Sequence, residues 1–383
     1  MPAVVLLAVL LGLPAACRFP GSIRPTVKIG LVAPFEGRYR YVGYDVIYAV
    51  RLALREVNEA GEIAGRGVEL AAFDDGGDPA LAPAQARKLA LDPEVLGAMG
   101  HYRLDTTRAA ARDYAAAGLP LIGVSGLRAG LEPLGDEDGF LFTVGPDPER
   151  VGRALVTRAS ELAPDRQVVL ASDASSGPLA EAVKVAAGEQ GLGLTAVDAG
   201  REGWQQDVLG YYPEVLVCDL DPVAAGEVVA LLGEGGWRGD VLGGPALSAA
   251  DFRAVAGDRA AGVVFVTPWP FPIDVAGGEE FADAYRAVSN GLEPGPLALP
   301  AYEAAHLLLD AVEAAVEKGD PTRDGVRAAL AELQNGGRLA VLDAGGSGAA
   351  VQAGLYWYRI AEDGAPTLLC REAASGIEPQ ALE

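Results

Sequence analysis

Residues 27–33, VKIGLVA, and 68–73, VELAAF, flank the stretch PFEGRYRYVGYDVIYAVRLALREVNEAGEIAGRG at 34–67, and this unit decides the fold. Both flanks are short apolar runs of the kind that form fully buried strands. Between them Val46, Ile47, Val50, Leu54 and Val57 recur at helical spacing across residues 43–58, and Gly61 is placed to end the helix. A strand, a helix and a second strand in that order predict a parallel pair joined by a crossover.

The pattern repeats along the chain. Asp78 is expected to cap a helix with Pro79 at its first position, and VLGAMG (95–100), a helix through TTRAAARDYAAAG (106–118) and LPLIGV (119–124) follow. A second series opens at Asp147 and Pro148, a cap and first helical residue ahead of Val151, Leu155 and Leu162. Strands QVVLAS, LGLTAVD, EVLVCD, DVLGG and GVVFVT then alternate with helices near 178–190, 222–234 and 248–256. Beyond PWPFP (268–272) come three helical stretches near 279–290, 300–318 and 322–333, then strands RLAVLD, GLYWYRI and PTLLC. That is more structure than two simple α/β domains in series use. The chain is therefore expected to pass between domains more than once, at Gly145-Pro146, Pro268–Pro272 and Gly336-Gly337.

Composition bounds the function. The 383 residues are half hydrophobic, enough for two cores, and carry a formal charge of −23. Only four lysines occur, so nothing suits a polyanionic partner, and no nucleic acid is expected. The N-terminus MPAVVLLAVLLGLPAAC holds an apolar run at 4–13, the size of a signal-peptide core and shorter than the roughly 18–20 residues that span a bilayer. Ala15, Ala16 and Cys17 resemble a bacterial lipobox, although Pro14 stands where leucine is usual. The resemblance implies a signal peptide over 1–16, a lipid on Cys17 and a tether over 17–26. Cys218 and Cys370 are open to two readings, a lone disulfide or free thiols.

The stretch 27–89, with GH (100–101), AAAGLPLIGVS, FLFTVGPDPERVG, ALSAADFRAVAGDRAAGVVFVTP and AYEAAHLLLDAVEAA, resembles type I solute-binding proteins of the branched-chain amino-acid ABC-transporter group. The likeness runs over most of residues 27–360. It implies an α/β fold of two Rossmann-like lobes with parallel sheets, joined by three hinge crossings and closing on a small ligand. Lobe 1 is expected over 27–145 and 271–337, lobe 2 over 146–270 and 338–373, with a tail at 374–383. The implied protein is extracytoplasmic, anchored to the cell membrane at the periplasm or cell surface, monomeric and partnered by an ABC permease.

In this family a hydroxyl after GH and another after LIS hold the ligand carboxylate. The matching positions here are Leu104 and Leu127, with Ser125 beside the latter. The acid that commonly meets the ligand ammonium aligns with Ala246, and the aromatic residue that often stacks on the ligand with Ser176. Asp147 matches a common family aspartate. Burying a zwitterion without partners is costly, so these changes count against a free α-amino acid as cargo. Arg103 is either a bidentate receptor for a carboxylate or phosphate or a solvent-facing side chain, and Asp105 either a helix cap or a ligand contact. Tyr39, Tyr41 and Tyr44, in the loop after the first strand that faces the cleft in this family, are either aromatic walls or packing between lobe and loop; Tyr102 is a further candidate contact, and Asp219 and Asp221 are candidate acids of the second lobe, Asp221 also suiting a cap before Pro222. DDGGD at 74–78 is read as a turn with a cap rather than as a calcium loop.

No catalytic role is expected. His101 and His306 are the only histidines, and GxGxxG, GxxxxGK, HExxH and GxSxG are all absent. No cofactor or metal is implied. The alternative to uptake is a sensor or scaffold lipoprotein of the same fold with a degenerate cleft.

Overall fold

The computed structural model describes residues 25–123, 139–143, 148–163, 167–173, 178–335, 342–343, 350–351 and 354–372. Strand β1 (Thr26–Ala33), helix α1 (Arg40–Ala60) and strand β2 (Gly67–Asp74) form the expected parallel unit, in register from Thr26 opposite Gly67 to Ala33 opposite Asp74. One face of α1 buries Val46, Val50 and Leu54 and leaves Arg51, Arg55 and Glu59 exposed. Its end is tied down by Asn58, whose amide both donates to the Val68 carbonyl and accepts from the Val68 N–H. Helix α2 (Ala82–Leu91), β3 (Val95–Gly100), α3 (Leu104–Ala116), β4 (Leu121–Gly123) and β5 (Leu141–Thr143) complete a parallel sheet ordered β2-β1-β3-β4-β5.

The second sheet arises from α4 (Pro148–Leu162), β6 (Val168–Ser172), α5 (Pro178–Gln190), β7 (Leu194–Asp198), α6 (Trp204–Tyr211), β8 (Val215–Asp219), α7 (Pro222–Glu234), β9 (Asp240–Gly243), α8 (Ala250–Ala256) and β10 (Val264–Thr267). Helices α9 (Gly278–Val288), α10 (Ala298–Glu317) and α11 (Arg323–Asn335) follow, then β11 (Leu342–Asp343), β12 (Ala350–Val351), β13 (Leu355–Ile360) and β14 (Pro366–Glu372). The sheet order is β14-β13-β10-β9-β8-β6-β7. Strands β6–β10 are parallel to one another. β13 runs antiparallel to both β10 and β14, the latter because a tight turn at Ala361–Ala365 links β13 to β14 and such a turn can only reverse the chain. β11 and β12 pair with each other.

Each sheet is covered on both faces. In the first, α1 and α9–α11 pack on one side and α2 with α3 on the other; in the second, α6–α8 oppose α4 and α5. The chain therefore leaves the first sheet after β5, builds β6–β10, and returns to the first core with Trp269, α9, α10 and α11 before rejoining the second sheet at β13. Two polar clamps secure the return. Asp45 of α1 accepts the Gly295 and Leu297 N–H groups at 2.7 and 2.8 Å, holding the entry to α10. Arg323, at the start of α11, donates to the Val95, Ala117, Ala90 and Asp92 carbonyls at 2.9–3.1 Å, where α2 and α3 end.

Two expectations need correction. Asp78 caps a turn, accepting the Ala80 N–H, and the helix starts only at Ala82. Helix α6 was not expected, since only Trp204 and Val208 are buried in it and two contacts make no readable period. Of the two readings open for the cysteines, the free thiols hold: Cys218 lies in the second core and Cys370 on edge strand β14.

Candidate functional site

The loop after β3 is set by backbone crowding. Gly100 has φ +121°, and a Cβ there would lie 2.0 Å from the Val32 carbonyl oxygen of the neighbouring strand, so only glycine fits. His101 follows, fully buried, with Nδ1 2.6 Å from Asp75 Oδ2 and Nε2 3.2 Å from the Tyr114 hydroxyl. The DDGGD turn thus has its role: Asp74 accepts the Phe35 and Gly76 N–H groups, Asp75 accepts that of Gly77, and Asp75 also holds His101. Arg103 has extended backbone and α3 begins at Leu104. Asp105 is consequently inside the first turn and is not the N-cap; Thr106 and Thr107 close the helix entry by donating to the Arg103 carbonyl at 3.0 and 2.7 Å.

Asp105 engages Arg103 instead. The pair is bidentate, Nε to Oδ1 at 3.2 Å and Nη2 to Oδ2 at 3.0 Å, and the guanidinium lies 4.0 Å over the Tyr39 ring. Gly77 permits this stack, because a Cβ there would come within 2.6 Å of that ring. Arg103 therefore neither projects into solvent nor presents a vacant fork to an anion.

Facing this loop are the carboxyl ends of β6 and β8. Ser172 of β6 is in register with Asp219 of β8, so Asp173, Asp219 and Asp221 emerge together. Asp221 caps α7, its Oδ1 accepting the Val223 and Ala224 N–H groups with Pro222 at the first helical position, as the sequence suggested. Asp219 Oδ2 is fully buried and accepts no hydrogen bond. Burial and the neighbouring Asp173 push the Asp219 carboxyl up to about 7, against the Ala180 N–H, Arg103 and Lys184, which favour its ionised form. Burial raises the Tyr41 phenol; Arg103 opposes the shift, while Tyr39, Asp219 and Asp221 add to it, which places Tyr41 electrically between the two sides.

Two arginines bridge the gap. Arg38, between β1 and α1, puts Nη1 3.5 Å from Asp173 Oδ2 and 3.6 Å from Asp221 Oδ2. Arg40 Nη2 reaches Asp251 Oδ1 of α8 at 2.7 Å.

The structure thus brings together Tyr41, Arg103, Asp105, Asp219 and Asp221 of the expected residues. Leu104 is buried at the first helical position, and Ala246 sits in a single 3-10 turn, Pro245–Ser248, with no polar side-chain atom to offer. Tyr44 is 43% exposed, one turn beyond Arg40 on α1. Tyr102 is a correction: it is buried in the first core, because His101 anchors the preceding residue inward and the loop turns Tyr102 under α1 and not toward the gap. Ser125, Leu127, Asp147, Ser176 and Cys17 lie outside the described residues. Sequence reasoning missed Arg38, Asp173 and Asp251, whereas Tyr39, expected as an aromatic wall, lies under the Arg103 guanidinium. Asp173 alone had a legible signal, standing directly after an apolar run as Asp219 does. Among the described residues no group of three or more His, Cys, Asp or Glu side chains could hold a metal ion, and no helix is long and apolar enough to cross a membrane.

Comparison with known proteins gives this geometry its context. A family profile described as periplasmic binding protein matches residues 26–365. The chain is 25% identical over 312 residues to Leu/Ile/Val-binding protein homolog 1 of Brucella abortus, covering 79% of this chain and 82% of the relative. It is 25% identical over 331 residues to the leucine-, isoleucine-, valine-, threonine-, and alanine-binding protein of Pseudomonas aeruginosa, covering 81% and 84%. In fold it is similar to the substrate-binding protein LivJ of Streptococcus pneumoniae, solved with isoleucine, at TM-score 0.75 and 22% identity over 90% of this chain and 99% of that one. A solute-binding protein of R. palustris, solved with benzoate, superposes at TM-score 0.71 and 18% identity over 93% and 99%. These are binding proteins rather than enzymes, and the family is extracytoplasmic. The chain belongs to the periplasmic binding protein family, with the type I architecture of its branched-chain amino-acid group.

Proposed function

We propose that this chain is a lipid-anchored solute-binding protein that closes on a small molecule between two lobes and delivers it to an ABC importer. The lobes comprise 27–145 with 271–337 and 146–270 with 338–373, held to the membrane by a lipid on Cys17 through the tether 17–26 once the signal peptide 1–16 is removed, with 374–383 as a tail. One observation carries the reading: Arg38, beyond the end of β1, reaches Asp173 and Asp221, beyond the ends of β6 and β8. The carboxyl ends of two parallel sheets therefore face each other across a gap, which is where open α/β sheets receive ligands.

The named relatives bind amino acids, but the cleft here is built from other parts. Leu104 and Ala246 supply no hydroxyl or carboxylate, and the Arg103 fork is held by Asp105. These features support a cargo other than a standard free branched-chain amino acid.

A thermal-shift screen over amino acids, short peptides, amides, aromatic acids and sugars tests the proposal, together with mass spectrometry of any co-purified compound. A micromolar ligand, worth about 8 kcal/mol of binding free energy, stabilises the folded chain by about 2.7 kcal/mol at a hundredfold excess over Kd. Silence across the panel, with no compound recovered, favours the sensor or scaffold alternative instead.

A further inference from the structure

The second-sheet side of the cleft carries more negative charge than the fold requires. Asp221 has a structural task through Oδ1, yet its Oδ2 points to the gap and to Arg38. Asp173 faces the same guanidinium with a side chain only 12% exposed. Asp219 has one oxygen buried with nothing to accept from. Arg38 meets Asp173 and Asp221 at 3.5 and 3.6 Å, beyond the usual range of a charge-assisted hydrogen bond, and the other nearby arginine, Arg103, is bidentate to Asp105.

Resting on the solute-binding reading above, we infer that Asp173, Asp219 and Asp221 form the seat for a positively charged nitrogen group of the cargo, which is an organic cation that needs no carboxylate of its own. An ammonium or guanidinium group entering from the gap supplies the N–H that Asp219 Oδ2 lacks and offsets the mutual repulsion of the three acids. An anionic cargo meets that repulsion, while of the nearby cations Arg103 is held by Asp105 and Arg38 already faces Asp173 and Asp221, and Leu104 and Ala246 are apolar. The role that the family gives to an acid at the position of Ala246 is transferred to the ends of β6 and β8. Arg38, loosely held, is a placeholder that the cargo displaces or joins.

Calorimetric titration of the purified full chain tests this with five probes: leucinamide, agmatine and cadaverine as cations, leucine as zwitterion and 4-methylpentanoate as anion. At least one cation is expected to bind, more tightly than leucine and far more tightly than the anion. Asp219→Asn, which keeps an oxygen for the Ala180 N–H, is expected to weaken that binding at least about tenfold with an unchanged circular dichroism spectrum. Asp173→Asn is the second variant should Asp219→Asn fold poorly. Tighter binding of the anion, or full cation affinity in both variants, overturns the inference. Silence from all five probes with a neutral or anionic compound recovered by mass spectrometry overturns the cationic cargo alone. Silence with nothing recovered removes the solute-binding reading beneath it as well.

Discussion

Asp75 Oδ2 and His101 Nδ1 meet at 2.6 Å with neither side chain exposed, so the loops after β2 and β3 are joined by a buried polar pair directly behind the cleft. The second ring nitrogen is used by Tyr114 on α3, which makes the imidazole the common anchor of two loops and a helix.

Removing that anchor leaves the Asp75 carboxylate buried and without its partner. His101→Ala is expected to destabilise the chain by about 3 kcal/mol, read from the urea midpoint. Cargo affinity should fall too, since Arg103 and Asp105 follow on the same loop.

Arg323 binds four carbonyls from two separate stretches, residues 90–95 and Ala117, a geometry that needs the planar fork. Arg323→Lys should therefore recover little of the stability lost in Arg323→Ala. Denaturant titration is expected to place both variants about 2–4 kcal/mol below the parent.

Burial pushes the Asp45 carboxyl up to about 7 even though the Gly295, Leu297 and Ala298 N–H groups favour its ionised form, and Asp219 is raised to about 7 as well. Each group keeps its proton in the folded chain at pH values where the unfolded chain has released it. The folded state thus binds more protons between pH 4 and 7, so stability falls as pH rises through that window. Glu56 and Asp92 are lowered and act in the opposite sense, but only below the ordinary carboxylate range. Unfolding free energy is expected to be larger at pH 5 than at pH 8, by up to about 1.4 kcal/mol per pH unit for each raised group. Asp45→Asn should flatten the profile; an unchanged slope would refute the assignment.

Both arginines are half-exposed and neither bridge is bidentate to one carboxylate, so the double variant Arg38→Ala, Arg40→Ala should change global stability by less than about 1 kcal/mol. Its effect should appear in the spacing of the lobes, as a larger radius of gyration by small-angle scattering. Cys17→Ser should release the protein from membranes, checked by fractionation of cells that express it.

The periodic parts of this structure were open to reading from residues alone. Val46, Val50 and Leu54 announce α1, and Asp221-Pro222 announces the start of α7, because both signals are local. The misplaced starts of α2 and α3 show where locality fails. Asp78 and Asp105 are good caps by type, but Asp105 had a stronger partner in Arg103, and α3 starts with no side-chain cap. The anchor between Asp75 and His101 spans 26 residues, and the bridge from Arg38 to Asp173 spans 135, separations at which no sequence period survives. Tyr102 lies in the first core although it adjoins Arg103, because adjacent residues in an irregular loop point in unrelated directions.

The contact between Gly100 and the Val32 carbonyl also bears on how such proteins diversify. The path of the receiving loop is enforced by main-chain atoms, which every substitution elsewhere leaves in place. Side chains such as Leu104, Arg103 and Asp105 can therefore be exchanged one at a time without rebuilding the frame that presents them.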